Sequence, residues 1–354
     1  MAAKNTNSSN IKNINLALQG GGSHGAYTWG VLDRLLMEDD LHIEGVSGTS
    51  AGAMNAAVMV NGYAVGGREL ARQNLRLFWQ KIAEASAFSP MNKSVFERFL
   101  TGWNLDTSPV YHILDLMSHV VSPYDSNPLN INPLRGVLEE VLDLDALRCC
   151  SEMKLFVAAT HVESGQARVF NCEEITIDVL LASSCLPQIF QAIEIDGEHY
   201  WDGGYMGNPV IWPLIYSTKS EDIVLVQINP IHRAGVPKQP MEIINRLNEI
   251  SFNSSLIAEM RAIDFVSRLI NSGALDKQKY KDIKMHLIYS PDELRELNAS
   301  SKMNASWEFF EHLHGIGFEA ATRWIKANKS TIGKHSSIDI REKFLGGTAK
   351  KNSK

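Results

Sequence analysis

Apolar positions along the chain fall into short buried runs that alternate with longer runs at helical spacing. The first run, Ile14 to Gln19, predicts a buried strand and passes through Gly20-Gly21-Gly22-Ser23-His24-Gly25 into a helical pattern from Ala26 to Met37. The second, Ile43 to Val46, passes through Gly48-Thr49-Ser50-Ala51-Gly52 into a helix of small residues over Ala53 to Val60. Leu75, Phe78, Trp79 and Ile82 repeat at helical spacing within 70–83. Pro90, Pro109, Pro123, Pro128 and Pro133 break up 84–135, where only 110–120 shows a helical face, with Ile113, Leu114 and Met117. Asn132-Pro133-Leu134 then opens a helix that runs to Asp143.

Further along, Leu155 to Thr160 predicts a buried strand, and Ala167 to Phe170 pairs back on it across a turn at 163–166. Ile175 to Ala182 predicts a helix. Ala192 to Ile195 and His199 to Trp201 form a hairpin across Asp196-Gly197, with Asp202 as the first residue beyond it. Ile223 to Ile228 is the next strand, ending at Asn229-Pro230. From Met241 to Ile270 a long helix is predicted. Ile243, Leu247, Ile250, Ile257, Arg261, Phe265 and Leu269 share a stripe, read as its core-packing face in preference to a membrane-surface one. Met285 to Tyr289 is a last strand. Behind a cap at Asn304, Trp307, Phe310, Leu313, Gly317, Ala321 and Trp324 mark a helix expected to dock on the main domain. Strands that alternate with helices in this way indicate an α/β fold.

Two loops carry candidate chemistry. A serine between two glycines at a strand-to-helix turn is a nucleophile elbow: glycine lets the backbone turn sharply and leaves the Ser50 hydroxyl exposed. The helix that follows aims its positive end at the oxygen that becomes negative in acyl transfer. The run Gly20-Gly21-Gly22, also ahead of a helix, can point bare N–H groups at one spot and hold an anion. A dinucleotide loop of the Rossmann type is the other reading. It wants an acidic ribose-binding residue about 20 residues on, at the end of the second strand. That strand ends in the serine elbow instead, so the pair reads as an oxyanion hole and a nucleophile.

A glycine-rich loop after the first strand, then Gly48-Thr49-Ser50-Ala51-Gly52 one helix later, resembles the patatin-like phospholipases. Asp202-Gly203-Gly204, followed by Asn208-Pro209, fits that family's aspartate motif, and Ala182 to Pro187 looks like its Ala-Ser-x-Ala-x-Pro block. The likeness covers roughly 14–230. It implies an α/β/α sandwich, three layers around a mostly parallel central sheet, with a C-terminal helical extension. It also implies a Ser50–Asp202 dyad, with Ser50 the nucleophile and Asp202 the base. The loop Gly20, Gly21, Gly22 and Gly25, with Ala51, forms the oxyanion hole, and Gly48, Gly52, Gly203 and Gly204 support the motifs. Two positions depart from the pattern: His24 stands where the family often has Arg or Lys, and Gln19 replaces an acidic residue common in plant members. Ser301-Lys302-Met303-Asn304 looks like an extension found in a bacterial subgroup.

Composition changes the picture little. The chain has 354 residues, 44% hydrophobic and 21% charged, with a formal net charge of −6 that gives no general pull toward nucleic acid. No apolar run reaches the ~18–20 residues of a membrane span. The expected divisions are a disordered polar tail over 1–13, a catalytic domain over 14–230, a docked helical region with one late strand over 231–345, and a disordered tail over 346–354. The first tail lacks the apolar core of a Sec signal. The lysines of the last, Lys350, Lys351 and Lys354, make no membrane anchor by themselves. Cys149, Cys150, Cys172 and Cys185 show no zinc spacing and are expected as reduced thiols.

The expected activity is therefore a serine acyl-ester hydrolase, of phospholipase A or lysophospholipase type. Its partner is a lipid substrate at a membrane or lipid surface, and no metal or other cofactor is expected. The 84–135 segment reads as a surface insertion closing the sheet edge, with a cap over the acyl pocket as the alternative. A Ser-His-Asp triad that recruits His232 is the rival mechanism. A catalytically weak lipid-binding or granule-associated protein, and a thioesterase or acyltransferase, are the alternatives in function. Location is expected to be cytoplasmic and peripheral to membranes, with a non-Sec secreted bacterial effector as the alternative.

Overall fold

Successive residues of the central strands feed two separate cores. In β1 (Lys12–Leu18), Ile14, Leu16 and Leu18 enter one core and Ala17 the other. A computed structural model of the chain shows this arrangement; it describes residues 11–86, 103–105, 120–295, 297–298 and 300–346. The remaining elements used below are α1 (Gly25–Leu35), β2 (Leu41–Thr49), α2 (Ala51–Ala85), α3 (Pro133–Val141), β3 (Lys154–His161), β4 (Ala167–Asn171), α4 (Ile177–Ser183), β5 (Ile193–Ile195), β6 (Glu198–Asp202), α5 (Trp212–Ser217), β7 (Asp222–Val226), α6 (Pro240–Asn271), β8 (Lys284–Ile288), α7 (Trp307–Asn328) and α8 (Ile340–Phe344). Strands pair in the series β5-β6-β3-β2-β1-β7-β8; β6 and β2 follow one another along one edge of β3, and β4 lies on its other edge. β3, β2, β1, β7 and β8 are mutually parallel, and β4, β5 and β6 supply the antiparallel pairings.

Alternation along β7 repeats that of β1: Val224 and Val226 join the first core, Ile223 and Leu225 the second. The first core takes most of its helical side chains from α1, α2, α3, α4 and α7, with Leu147 and Leu294 added from the short helices Leu144–Arg148 and Pro291–Leu294. The second takes them from α5, α6 and α8. Helices on both faces of a mostly parallel sheet make the three-layer sandwich that the motifs imply.

Several elements differ from their sequence reading. The helices expected over 53–60 and 70–83 form one run, α2, bent where Gly66 and Gly67 leave helical geometry. α5, Trp-Pro-Leu-Ile-Tyr-Ser, is too short to show a period and was not anticipated. Ser306, not Asn304, occupies the cap position of α7, and Asn304 Oδ1 instead accepts from the Ser306 N–H at 3.1 Å. The stripe assigned to the core in α6 faces outward: Ile243, Leu247, Ile250 and Phe265 are 41%, 60%, 52% and 53% exposed. The buried face is Asn253, Leu256, Met260, Ile263 and Ile270. Both stripes have the helical period, and the buried asparagine disguised the inner one. The helix expected at 110–120 and most of both terminal tails lie outside the described residues, as does most of the predicted insertion between 87 and 119.

α7 lies across α1 at two glycines. A Cβ on Gly30 would come 2.0 Å from the His314 carbonyl oxygen, and one on Gly317 would come 2.0 Å from that of Tyr27. The Trp29 and His314 rings meet at a tilt, with centroids 4.1 Å apart, and His314 Nε2 bonds Asp33 Oδ2 at 2.9 Å. Helix propensity alone favours Gly317→Ala by about 1 kcal/mol. The backbone clash reverses that sign: Gly317→Ala is expected to lose about 2–3 kcal/mol in urea unfolding. A stabilised variant would show that the helices do not approach this closely.

Candidate active site

The site is set by one edge of β3. Ala159 pairs with Arg168 of β4 and with Asp202 of β6, so β4 and β6 occupy opposite edges. β2 pairs with 154–158, overlapping the span of β4, and therefore shares the β6 edge. Thr49 faces Ala158, and Asp202 faces the next residue, Ala159. β2 and β6 thus run toward each other along one edge and meet at Thr49-Ser50 and Asp202-Gly203. Gly203 permits the meeting, since a Cβ there would lie 2.2 Å from the Ala158 carbonyl oxygen and 3.0 Å from Thr49 Cγ2.

Ser50 sits at φ 53°, ψ −125°, a strained conformation for a residue with a side chain. Its N–H donates to Ser183 Oγ at 3.0 Å, and its carbonyl accepts the first helical bond of α2, from Met54 N–H at 3.1 Å. Gly48 and Gly52 are required by close approach. A Cβ on Gly48 would meet the Gly52 carbonyl oxygen at 2.5 Å, and one on Gly52 would meet that of Leu18 at 2.3 Å.

Asp202 is buried, and its carboxylate accepts from the Gly204 N–H at 2.7 Å. The Ser50 side chain lies beside the same carboxylate and helps hold its pKa down. Main-chain bonds hold the residue from two sides: Asp202 N–H donates to the Cys185 carbonyl at 2.8 Å, and Thr160 Oγ1 donates to the Asp202 carbonyl at 2.8 Å. Burial raises the carboxyl to about 6, against the opposing pull of Gly204, Ser50 and the Lys302 charge.

The glycine loop is held by buried amides. Gly20 N–H donates to Asn208 Oδ1 at 2.6 Å, and Asn229 Nδ2 donates to the Gly20 carbonyl at 2.8 Å. Gly20 also packs on the elbow, where a Cβ would meet the Thr49 carbonyl oxygen at 2.5 Å. Its amide is thus committed, whereas the N–H groups of Gly21, Gly22 and Ala51 have no hydrogen-bond partner among the described residues. Gly22 takes φ 56°, a region that favours glycine. Gly25 opens α1 beneath the elbow, where a Cβ would lie 2.7 Å from that of Ala51. Asn55 Nδ2 ties the two helix starts together, donating to the Gly25 carbonyl at 3.0 Å and to that of Ala51 at 2.9 Å.

Gln19 explains its own identity. Its Nε2 donates to the Asn208 carbonyl and to Asn253 Oδ1, each at 3.1 Å, and its Oε1 accepts from Ile228 and Asn229 N–H, each at 2.8 Å. A carboxylate could fill the second role but not the first. Ser183, Asn208, Asn229 and Lys302 were not singled out as functional from the sequence. Their signals were faint: each asparagine precedes a proline at the end of a motif, and Ser183 lies inside the Ala182–Pro187 block.

Other candidates lie elsewhere. His232 is exposed, and no histidine bonds the Asp202 carboxylate among the described residues. Cys185 is buried, its thiol pushed up to about 12 first by burial and then by the Asp202 charge. His161, Glu163 and Glu198 bring ligand atoms within 4.8 Å of one another. They already pair among themselves and with Ser164 and His199. A shallow cavity of about 430 Å³ beside Glu139, Asp143 and Arg148 includes no motif residue.

Two stability effects are expected. Gln19→Glu places a buried carboxylate against two acceptors and should lose about 2–3 kcal/mol in urea at pH 7. Part of the loss should return as pH falls and the glutamate takes a proton. The native state holds the Asp202 proton more tightly than the unfolded chain, so its contribution to stability falls as pH rises between about 4 and 6. Asp202→Asn should remove that dependence and stabilise the protein above pH 6, by at most about 3 kcal/mol. A less stable Asp202→Asn at pH 7.5 would contradict the burial argument.

The sequence model of the patatin-like phospholipases matches residues 16–215, more than half of the chain. No curated protein matches. Among solved structures, VipD from Legionella pneumophila is similar at 14% identity and a TM-score of 0.44, covering 95% of this chain and 73% of VipD. ExoU, solved with SpcU from the type III secretion system of Pseudomonas aeruginosa, is similar at 16% identity and a TM-score of 0.31. That match covers 90% of this chain and 54% of the other, so this chain spans about half the length of ExoU. No helix among the described residues is long and apolar enough to cross a membrane. With its glycine loop, serine elbow and Asp-Gly-Gly turn all inside the matched span, the chain belongs to the patatin-like phospholipase family.

Proposed function

We propose that the protein hydrolyses carboxylic esters of lipids with a Ser50–Asp202 dyad. The observation that carries this reading is the Ser50 side chain at its strained elbow beside the buried Asp202 carboxylate, which the Gly204 N–H holds in place and burial raises to about 6. Ser50 Oγ attacks the ester carbonyl carbon while Asp202 takes its proton. The oxyanion forms against the N–H groups of Gly21, Gly22 and Ala51, held before reaction by the amides around Gly20. Collapse breaks the bond to the leaving alcohol, which receives the proton from Asp202. Water then attacks the acyl-serine with Asp202 again as base, releasing the fatty acid and restoring Ser50.

The surroundings suit an acyl chain. The Tyr205 and Phe252 rings, 5.4 Å apart, stand beside the turn that carries Asp202, and Phe252 packs on Gly204. Met206 next to them is 40% exposed. The outward stripe Ile243, Leu247 and Ile250 on the same helix as Phe252 supports work at a lipid surface. Phospholipid, lysophospholipid, neutral lipid and acyl thioester all fit this chemistry.

Hydrolysis of p-nitrophenyl esters of graded acyl length tests the reading. Ser50→Ala should lower kcat by about 10³-fold or more, and Asp202→Asn by a comparable factor. In the wild type, kcat/KM should fall with unit slope below about pH 6, because only ionised Asp202 accepts the serine proton. Activity that survives Asp202→Asn would remove the dyad. A wild type idle on every acyl length would favour lipid binding without turnover.

A further inference from the structure

The glycine loop carries no cation of its own. His24, at the position where the resemblance leads one to expect Arg or Lys, is buried and shares a hydrogen bond with Ser301 Oγ at 2.7 Å. Burial first, then the charges of Lys302 and Arg233, push it well below its ordinary value, so it is neutral at pH 7. Yet a cation reaches the loop from the other end of the chain. Lys302, in the short helix Ser300–Met303, donates from Nζ to Asn229 Oδ1 at 2.7 Å. Asn229 in turn donates from Nδ2 to the Gly20 carbonyl at 2.8 Å. The Lys302 backbone lies directly on the loop, since a Cβ on Gly22 would come 2.6 Å from its carbonyl oxygen. The His24–Ser301 bond is a second tie between the same two segments.

We propose that Lys302 is the positioning cation of this site, supplying from the C-terminal region the positive charge that position 24 lacks and holding the loop amides through Asn229. The inference rests on the dyad reading and concerns the same site. Lys302 is half-buried, and even partial burial of an ammonium is costly unless its charge has a use or a partner. Glu249, an anion that acts on Lys302, is already shared by Arg233 at 2.7 Å and Arg246 at 3.1 Å. Cations therefore outnumber anions in the cluster, and the half-buried Lys302 brings the excess positive potential against the buried loop, where it favours a developing oxyanion. Burial lowers Lys302 to about 8, partly offset by Glu249 and Asp202 and reinforced by Arg233. It remains mostly charged at pH 7. The charged and titratable groups that bear on this pair are Glu249, Arg233 and His24 around Lys302, and Cys185 and Tyr205 around Asp202.

Wild type, Lys302→Met, Lys302→Arg and the double variant Lys302→Met/His24→Lys are compared on a short p-nitrophenyl ester across pH, after thermal melting shows which are folded. Lys302→Met should lower kcat about tenfold to a hundredfold with KM changed less than about twofold. Its acid limb should move to higher pH, because the Lys302 charge holds Asp202 down. The wild-type alkaline limb near pH 8 should vanish in Lys302→Met and move upward in Lys302→Arg. His24→Lys should restore part of kcat, because it returns a cation to the loop. Wild-type kcat and limbs in Lys302→Met would overturn the proposal. So would equal losses in the Met and Arg variants, with unmoved limbs and no rescue. The Asp202 carboxyl titration, followed by carbon NMR in wild type and Lys302→Met, needs no turnover. If the protein hydrolyses no ester, the dyad reading fails, and an upward-shifted or unmoved Asp202 titration still decides for or against Lys302.

Discussion

The site depends on two strands sharing one edge of β3. β2 and β6 approach from opposite directions and stop against each other, Thr49 opposite Ala158 and Asp202 opposite Ala159. The ladder of a central strand is stiff, so this register places the Ser50 elbow beside the Asp202 carboxylate without help from a flexible loop. It is also unforgiving. A slip of one residue in β6 would turn Asp202 to the opposite face. A side chain at position 203 would strike the β3 backbone. The hydroxyl, the carboxylate and the strained elbow are consequences of one pairing.

Burial then sets the chemistry. Asp202 is held by main-chain bonds, accepts from the Gly204 N–H, and is raised to about 6 by being buried. The same burial makes every unpaired polar group expensive, and the loop meets that constraint with amides. Gln19, Asn208 and Asn229 satisfy one another and the Gly20 peptide from both sides, leaving the neighbouring N–H groups to point outward. An amide both donates and accepts, so these side chains pair with one another and still leave Asn229 Oδ1 to accept from Lys302.

The C-terminal region belongs to this site as much as to the fold. β8 extends the sheet beside β7, and α7 lies on α1 through Gly30 and Gly317 so closely that the two backbones touch. That crossing fixes the entry to α7, and the residues just before it, Ser301 and Lys302, rest on the glycine loop. Helix packing at one end of α1 thus carries over to the placement of polar groups at the other.

Local chemistry made much of this legible from the sequence. The glycine loop, the elbow and the Asp-Gly-Gly turn are backbone requirements, written as residue types at short spacing, and most strands and long helices announced themselves by period. The hairpin at Asp196-Gly197 was legible for the same reason: both residues take positive φ. Other features were not local. Two stripes of α6 share one period, and only the packed sheet decides that Leu256, Met260 and Ile263 face inward while Leu247 and Ile250 do not. The union of α2 across Gly66 and Gly67, the network through Asn208 and Asn229, and the reach of Lys302 to the loop all join residues far apart in the chain. Sequence determined which turns could form and which residues could react. Tertiary structure decided which of them meet, because contact between distant segments follows from strand register and helix crossing, and neither is encoded in any short stretch.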